Sequence, residues 1–325
     1  MMVVSFQSIA NPVHLTLTDK WSAVFAGERS SFNVLITSDH SLNGTLRWQL
    51  TARGRSIFRQ QKKISIPRGN ETRFSVSIYP PKVNDGVVLD AVLQIDITED
   101  GSEQPGAQIT RTVRLFSTDP FIQKKKWLAA MGITLFDPEG KTAAVFESAN
   151  IPFKRIRGLD SVSEFTGRIL IVGEGTPISH YRGLSDMLLR LAASGVSVLC
   201  LAPANGEFPL NAFLRKQFVQ PNTVTLKRQD IIGSLDGRLD SSSWPPDGKV
   251  TSSSIRLVSD RNSVVGKVGT DDTGWPWMEI GFGKGKFVFA GFAIVDKWNT
   301  GPAPRFLFDA LLSHIQHTDV IEDAQ

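Results

Sequence analysis

The chain has 325 residues, 36 of them basic and 32 acidic, with a formal charge of +4 and 41% hydrophobic content. That length exceeds what one hydrophobic core usually fills, so two domains are expected. A charge this small and dispersed speaks against nucleic-acid binding, which gathers lysine and arginine on one element. No apolar run reaches the ~20 residues of a membrane span, and a single cysteine excludes an internal disulfide.

The opening stretch MMVVSFQSIANPVHL lacks the basic n-region and long apolar run of an intact leader. Localisation is left unknown on these residues, and periplasmic or secreted if a leader has been removed. From Val13 to about Phe116 apolar residues alternate through HLTLT, SFNVLIT, GTLRWQLTA, KKISIP, TRFSVSIYP, VLDAVLQIDIT and QITRTVRLFS. Turn signals such as AGERS, ARGRS, PRGNE and YPPKVNDG separate them. Period two marks strands with one buried face. About seven such runs without a helical pattern predict an antiparallel, immunoglobulin-like β-sandwich over residues 1–118. Trp48 alternates with Leu46 and Leu50 and is placed in its core. Residues 119–127, with Lys124 to Lys126, read as a solvated linker.

From residue 128 the grammar changes. ITLFDPEG reads as a strand, KTAAVFESAN as a helix, IPFKRI as a strand, and GRILIVGEG as a buried strand closed by glycines. ISHYRGLSDMLLRLAASG carries Leu184, Met187, Leu188 and Leu191 at helical spacing, and VSVLCLAP is the next buried strand. This order predicts a parallel sheet with right-handed crossovers, an α/β doubly wound domain over residues 128–325. FPLNAFLRKQF reads as a helix, NTVTL as a strand, and DGRLDSSSWPPDGK as a loop around Trp244. SIRLVSD and SVVGKVG read as strands, WPWMEIGFGKGKFVFAGF as a hairpin turning on Gly283 to Gly285, and APRFLFDALLSHIQH as a closing helix.

ITLFDPEGKTAAVFESANIPFKRI, RILIVGEGT, LLRLAASGVSVLCLAP and EIGFGKGKFVFAGFAIVDKWNTGPAPRFLFDALLSHI together resemble the class I glutamine amidotransferase-like domain. The likeness is to the forms appended to bacterial β-galactosidase-like and other glycoside-hydrolase-related proteins, and it covers residues 127–317. It implies a flavodoxin-like sheet with its functional edge at the strand C-termini. It also implies that active members carry a cysteine on a glycine-flanked elbow, followed later by a histidine and a carboxylate. That chemistry needs a thiolate exposed at a strained turn, facing backbone N–H groups and a base. Cys200 departs from the pattern: Leu201 and Ala202 continue its apolar strand, no glycine flanks it, and no His-x-Glu follows. A buried strand thiol and a degenerate domain, with no catalytic residues, are therefore expected.

Other constellations are weak. GEGT (Gly173 to Thr176) and GFGKG lack the strand–turn–helix setting of a nucleotide loop, GxSxG is absent, and the five histidines show no metal spacing. No cofactor or metal is expected. Asp137, Glu139, Glu174, Asp271, Asp272 and Asp296 are acids at probable strand ends. The candidate ligand site is set above those ends, at Asp137, Glu174, Gly175, Thr176 and Pro203. Trp275, Trp277, Asp296 and Trp298 are expected to complete its wall, since tryptophan is a frequent binding anchor. The leading reading is a non-catalytic binding or assembly protein with a carbohydrate or protein partner, associated with carbohydrate processing. The alternatives are a hydrolase of glycosidase type using loop carboxylates, and a structural scaffold of a homo-oligomer.

Overall fold

The computed structural model describes residues 13–209, 212–214, 217–239, 254–258, 264–268 and 274–316. Trp244, Asp271, Asp272 and His317 lie outside them. The chain is mostly β and divides into two compact units, Met1–Thr118 and Asp119–Gln325.

The first unit contains β1 (Val13–Leu17), β2 (Ala23–Phe25), β3 (Ser30–Ser38), β4 (Leu42–Ala52), β5 (Arg55–Ile66), β6 (Thr72–Ile78), β7 (Val88–Glu99) and β8 (Ala107–Phe116). They form a three-stranded sheet, β1-β3-β6, and a five-stranded sheet, β2-β8-β7-β4-β5. All pairings are antiparallel except β2 with β8. Inward residues of both sheets, among them Phe32, Val34, Leu46, Trp48, Leu50, Val76 and Ile95, join one apolar cluster. Trp48 is 5% exposed, and its indole Nε1 donates to the Ser77 carbonyl of the facing sheet at 2.8 Å. The long strand β5 begins well before the KKISIP run, and Arg59 to Lys63, polar on both faces, show no alternation that would mark it. Such a stretch suits an edge strand, where lysine and arginine discourage pairing with other chains.

The second unit opens with α1 (Lys125–Met131), β9 (Thr134–Phe136), α2 (Lys141–Ser148), β10 (Lys154–Ile156), α3 (Leu159–Ser163), β11 (Ile169–Val172), α4 (Leu184–Ala193) and β12 (Ser197–Leu201). Then come β13 (Asn205–Pro209), β14 (Ala212–Leu214), β15 (Gln217–Val219), β16 (Thr223–Lys227), α5 (Ile231–Leu235), β17 (Ser254–Val258) and β18 (Val264–Val268). The chain closes with β19 (Trp277–Phe282), β20 (Gly285–Ala290) and α6 (Pro302–Gln316). The helix expected over FPLNAFLRKQF is replaced by β13, β14 and β15. Pro209 interrupts that run, and Phe208 is buried against Phe287 and Phe289 at 5.0 and 4.7 Å.

The main sheet has seven strands in the order β10-β9-β11-β12-β20-β19-β16. β10, β9, β11, β12 and β20 run parallel, and β19 and β16 pair antiparallel at one side. Every residue of β9, β11, β12 and β20 is buried, as a sheet covered on both faces requires. On one face Val198, Cys200, Phe287 and Phe289 share a cluster with Leu184, Leu188 and Leu189 of α4. On the other, His314 of α6 bonds Glu279 at 2.8 Å, and the Ser197 hydroxyl donates to the Ile315 carbonyl at 3.1 Å.

Of residues 119–127, Pro120 and Phe121 are buried in this unit, while Ile122, Gln123, Lys125 and Lys126 are exposed. Phe121 is buried and stacks on Trp298 at 6.2 Å, and the Lys124 ammonium meets both oxygens of the buried Asp309 carboxylate at 2.6 and 2.5 Å. Burial pushes the Asp309 carboxyl up, and Lys124 works against that rise. Lys124→Met is expected to destabilise the unit by about 1–3 kcal/mol, since it strands a buried carboxylate while the lysine itself is partly solvated. Urea unfolding checks this, and adding Asp309→Asn to the variant should return most of the loss.

Candidate functional site

Parallel strands bring their C-terminal ends to one edge, and the strand-end candidates gather there. The ladder continues past the strands: Gly173 N–H donates to Phe136 O at 2.9 Å, Gly175 N–H to Ala202 O at 3.0 Å, and Ala202 N–H to Ala290 O at 2.8 Å. Asp137 follows β9 and is 1% exposed. One of its carboxylate oxygens accepts from Gly140 N–H at 2.9 Å and the other from Ala143 N–H at 2.7 Å. It caps the start of α2, where unpaired N–H groups and the helix dipole favour an anion. Both of its oxygens are thereby committed to the backbone.

Glu174 follows β11 and reaches across to the loop after β20. Its two carboxylate oxygens accept from Val295 N–H at 2.7 Å and Asp296 N–H at 2.9 Å, joining segments 121 and 122 residues apart. Its own N–H donates to the Thr142 hydroxyl at 2.9 Å. Burial pushes the carboxyl up to about 7, with neighbouring Asp296 adding to the rise and the backbone N–H groups opposing it. Thr176, 2% exposed, donates its hydroxyl to Gly173 O at 2.7 Å, and Pro203 is buried after β12. The Asp296 side chain is 66% exposed and pairs with Lys297 at 3.1 Å.

Two of the three candidate tryptophans leave the proposed wall because neither has a ring face for a ligand. Trp277 is 1% exposed with its ring 5.5 Å from His314, and Trp298 is 4% exposed between Phe121 and Phe308. Trp275 is half-buried and carries the Arg228 guanidinium 4.1 Å over its ring.

Cys200 is fully buried within β12, opposite Val172 and Phe289. Burial raises its thiol well above the ordinary range. The strained turn lies two residues further on, at Ala202, whose φ of 30° falls where side chains other than glycine are uncommon. The sequence reads Ala202 as a continuation of the apolar strand, whereas β12 ends at Leu201. Only its positive φ marks it, and a sequence carries no sign of that for an alanine. Among the described residues, no group of three or more His, Cys, Asp or Glu side chains is placed to hold a metal ion, and no helix is long and apolar enough to cross a membrane.

No family model matches the chain, and no curated protein matches it. Solved structures with likeness are β-sandwich domains, including those of glycoside hydrolases and PapD-like proteins, at low identity. The PapD-like domain 7 of human CEP192 is 10% identical over 36% of this chain and 94% of that one, with a TM-score of 0.23. A β-glucuronidase of glycoside hydrolase family 2 is 12% identical, with a TM-score of 0.25, over 62% of this chain and 21% of that one. A cycloisomaltooligosaccharide glucanotransferase from Paenibacillus sp. is 8% identical, with a TM-score of 0.28, over 60% of this chain and 27% of that one. The chain thus spans about a fifth to a quarter of these two enzymes, and at such scores neither activity carries over.

Proposed function

We propose that this chain is a non-catalytic binding or assembly protein, working beside carbohydrate-processing partners. In this reading its first unit is an immunoglobulin-like sandwich. Its second is a doubly wound, flavodoxin-like domain of class I amidotransferase type that has lost the acyl-transfer machinery. The parallel strands, taken in chain order, lie 2-1-3-4-5 across the sheet, the order of flavodoxin-like folds. One observation carries the loss of chemistry: the strained turn after β12 bears the methyl group of Ala202, while the only thiol is sealed inside the strand. A nucleophile must be exposed beside a base, and neither residue supplies one. Asp137 and Glu174 are likewise occupied in holding backbone N–H groups.

Native protein at pH 7.4 should leave Cys200 unlabelled by a thiol reagent over hours, with one equivalent reacting after unfolding. It should also release no ammonia from glutamine. Rapid native labelling, or ammonia release abolished by Cys200→Ala, would overturn the reading. A second reading rests on the Glu174 carboxyl, pushed up to about 7 by burial, with the exposed Asp296 carboxyl as its neighbour. Turnover of nitrophenyl glycosides lost in both Glu174→Gln and Asp296→Asn would establish a hydrolase instead.

A further inference from the structure

We propose that the solvent face of the five-stranded sheet in the first unit is a saccharide-binding groove. Arg47 of β4 lies at its centre, between Asp96 of β7 and Gln61 of β5, with Gln49 of β4 and Arg59 of β5 beside it. This site is separate from the strand-end edge of the second unit and does not rest on the reading of that edge.

Strand register assembles the groove. Arg47 stands opposite Asp96 on one side and Gln61 on the other, and Gln49 stands between Gln94 and Arg59. Arg59 donates to the Gln49 side-chain oxygen at 3.1 Å, and the Gln49 amide donates to Gln94 at 3.3 Å. These side chains enclose ≈ 350 Å³, at the lower end of the range of about 300–1,000 Å³ found for small-ligand sites. Trp48 contributes no stacking surface, because its indole turns into the core to bond Ser77.

Among the described residues, one side-chain oxygen on this face, the Thr98 hydroxyl, lacks the partner that buried polar atoms nearly always have, while the Asp96 carboxyl faces the Arg47 charge. Asp96 is 8% exposed. Burial raises that carboxyl, with the Arg47 charge opposing. Two residues along, and so on the same face of the strand, the Thr98 hydroxyl is buried with no hydrogen-bond partner. The face therefore offers interleaved donors, from guanidinium and amide, and acceptors, from carboxylate and amide, across neighbouring strands about 5 Å apart.

That pattern selects among ligand classes. A phosphate or nucleic acid would meet the carboxylate of Asp96, and a cation would find one carboxylate with the Arg47 guanidinium opposite it. A lipid or an apolar helix would find a wall made mostly of charged and amide side chains. A sugar ring presents hydroxyl groups that both donate and accept at several positions, and it matches an alternating polar wall. Without an aromatic platform the affinity per sugar is weak, so a polymer offering many units is the suitable probe.

The test is native gel electrophoresis of the full chain through gels containing soluble starch, laminarin, xylan, galactomannan or pectin. At least one polymer should retard the wild type. Asp96→Ala and Arg47→Ala should weaken that retardation at least tenfold while keeping the wild-type unfolding midpoint. Gln49→Ala serves as a third probe should either variant fold poorly. Glu174→Gln, in the other unit, should be retarded like the wild type. Retardation by no polymer, or retardation that survives all three groove variants, overturns the proposal. Loss in Glu174→Gln alone overturns it too, and moves the sugar site to the strand ends of the second unit.

Discussion

Raising the pH from about 5 to about 8.5 is expected to weaken the second unit through Glu174 by on the order of 3 kcal/mol. The sign follows from burial. The carboxyl stands at about 7 in the folded chain against an ordinary 4.5. Below pH 4.5 it is protonated in both states and contributes no pH dependence. Between 4.5 and 7 the unfolded chain ionises while the folded chain holds its proton, so folded-state stability drains away as pH rises. Above 7 the loss is complete and constant. Glu174→Gln fixes the neutral form, but its amide nitrogen faces one of the N–H groups of Val295 or Asp296, which then lacks an acceptor. The variant should therefore be less stable than wild type at pH 5, by about 1 kcal/mol, and as stable or more so at pH 8.5. Urea unfolding of both proteins at the two pH values reads this directly. An equal difference at both would show that Glu174 does not titrate as its surroundings dictate.

The second large effect belongs to the hairpin between β19 and β20. A Cβ at Gly285 would sit 2.9 Å from the carbonyl carbon of Ala192 and from that of Gly195, and closer still to the Ala192 oxygen. These are backbone atoms at the end of α4, so no side chain can swing aside. Gly285→Ala is expected to cost more than about 3 kcal/mol, lowering the melting temperature of this unit by roughly 6–12 °C or preventing its folding. Gly283, two residues earlier, has φ +62° and open space around it. Gly283→Ala should cost only about 1 kcal/mol, from its left-handed backbone alone. Thermal unfolding of the pair decides the matter. Equal costs would mean that the turn, and not the fit of helix against strand, demands glycine here. The final glycine of the GFGKG run is thus accounted for by close packing.

Much of the fold is legible because periodicity and burial agree. VLDAVLQIDIT alternates as a strand with one wet face must, and RILIV and VSVLCL are continuously apolar as strands covered on both sides must be. RQQKK in β5 carries no such signal, since an edge strand is wet on nearly every side. FPLNAFLRKQF misleads because its apolar spacing also suits a helix, and the pairing of Phe208 with the distant Phe287 and Phe289 decides otherwise. For the site, GEGT points to Glu174, but the Val295 and Asp296 amides that hold it lie 121 and 122 residues away. The tryptophans mislead in the opposite sense. Ring and neighbours read the same in sequence whether the indole faces water or, like Trp298, is packed beside Phe121 and Phe308. Arg47, Gln49 and Asp96 pass unnoticed because polar residues on alternate positions are what any exposed sheet face carries.

The placement of Cys200 settles a question of covalent state. A lone thiol at 0% exposure, between Val172 and Phe289 on neighbouring strands, meets neither glutathione nor a second chain while the protein stays folded. The native molecule thus keeps the same covalent form in reducing and in oxidising surroundings. Only unfolding opens the route to mixed disulfides or thiol-linked dimers, so such adducts in a preparation report molecules that have opened.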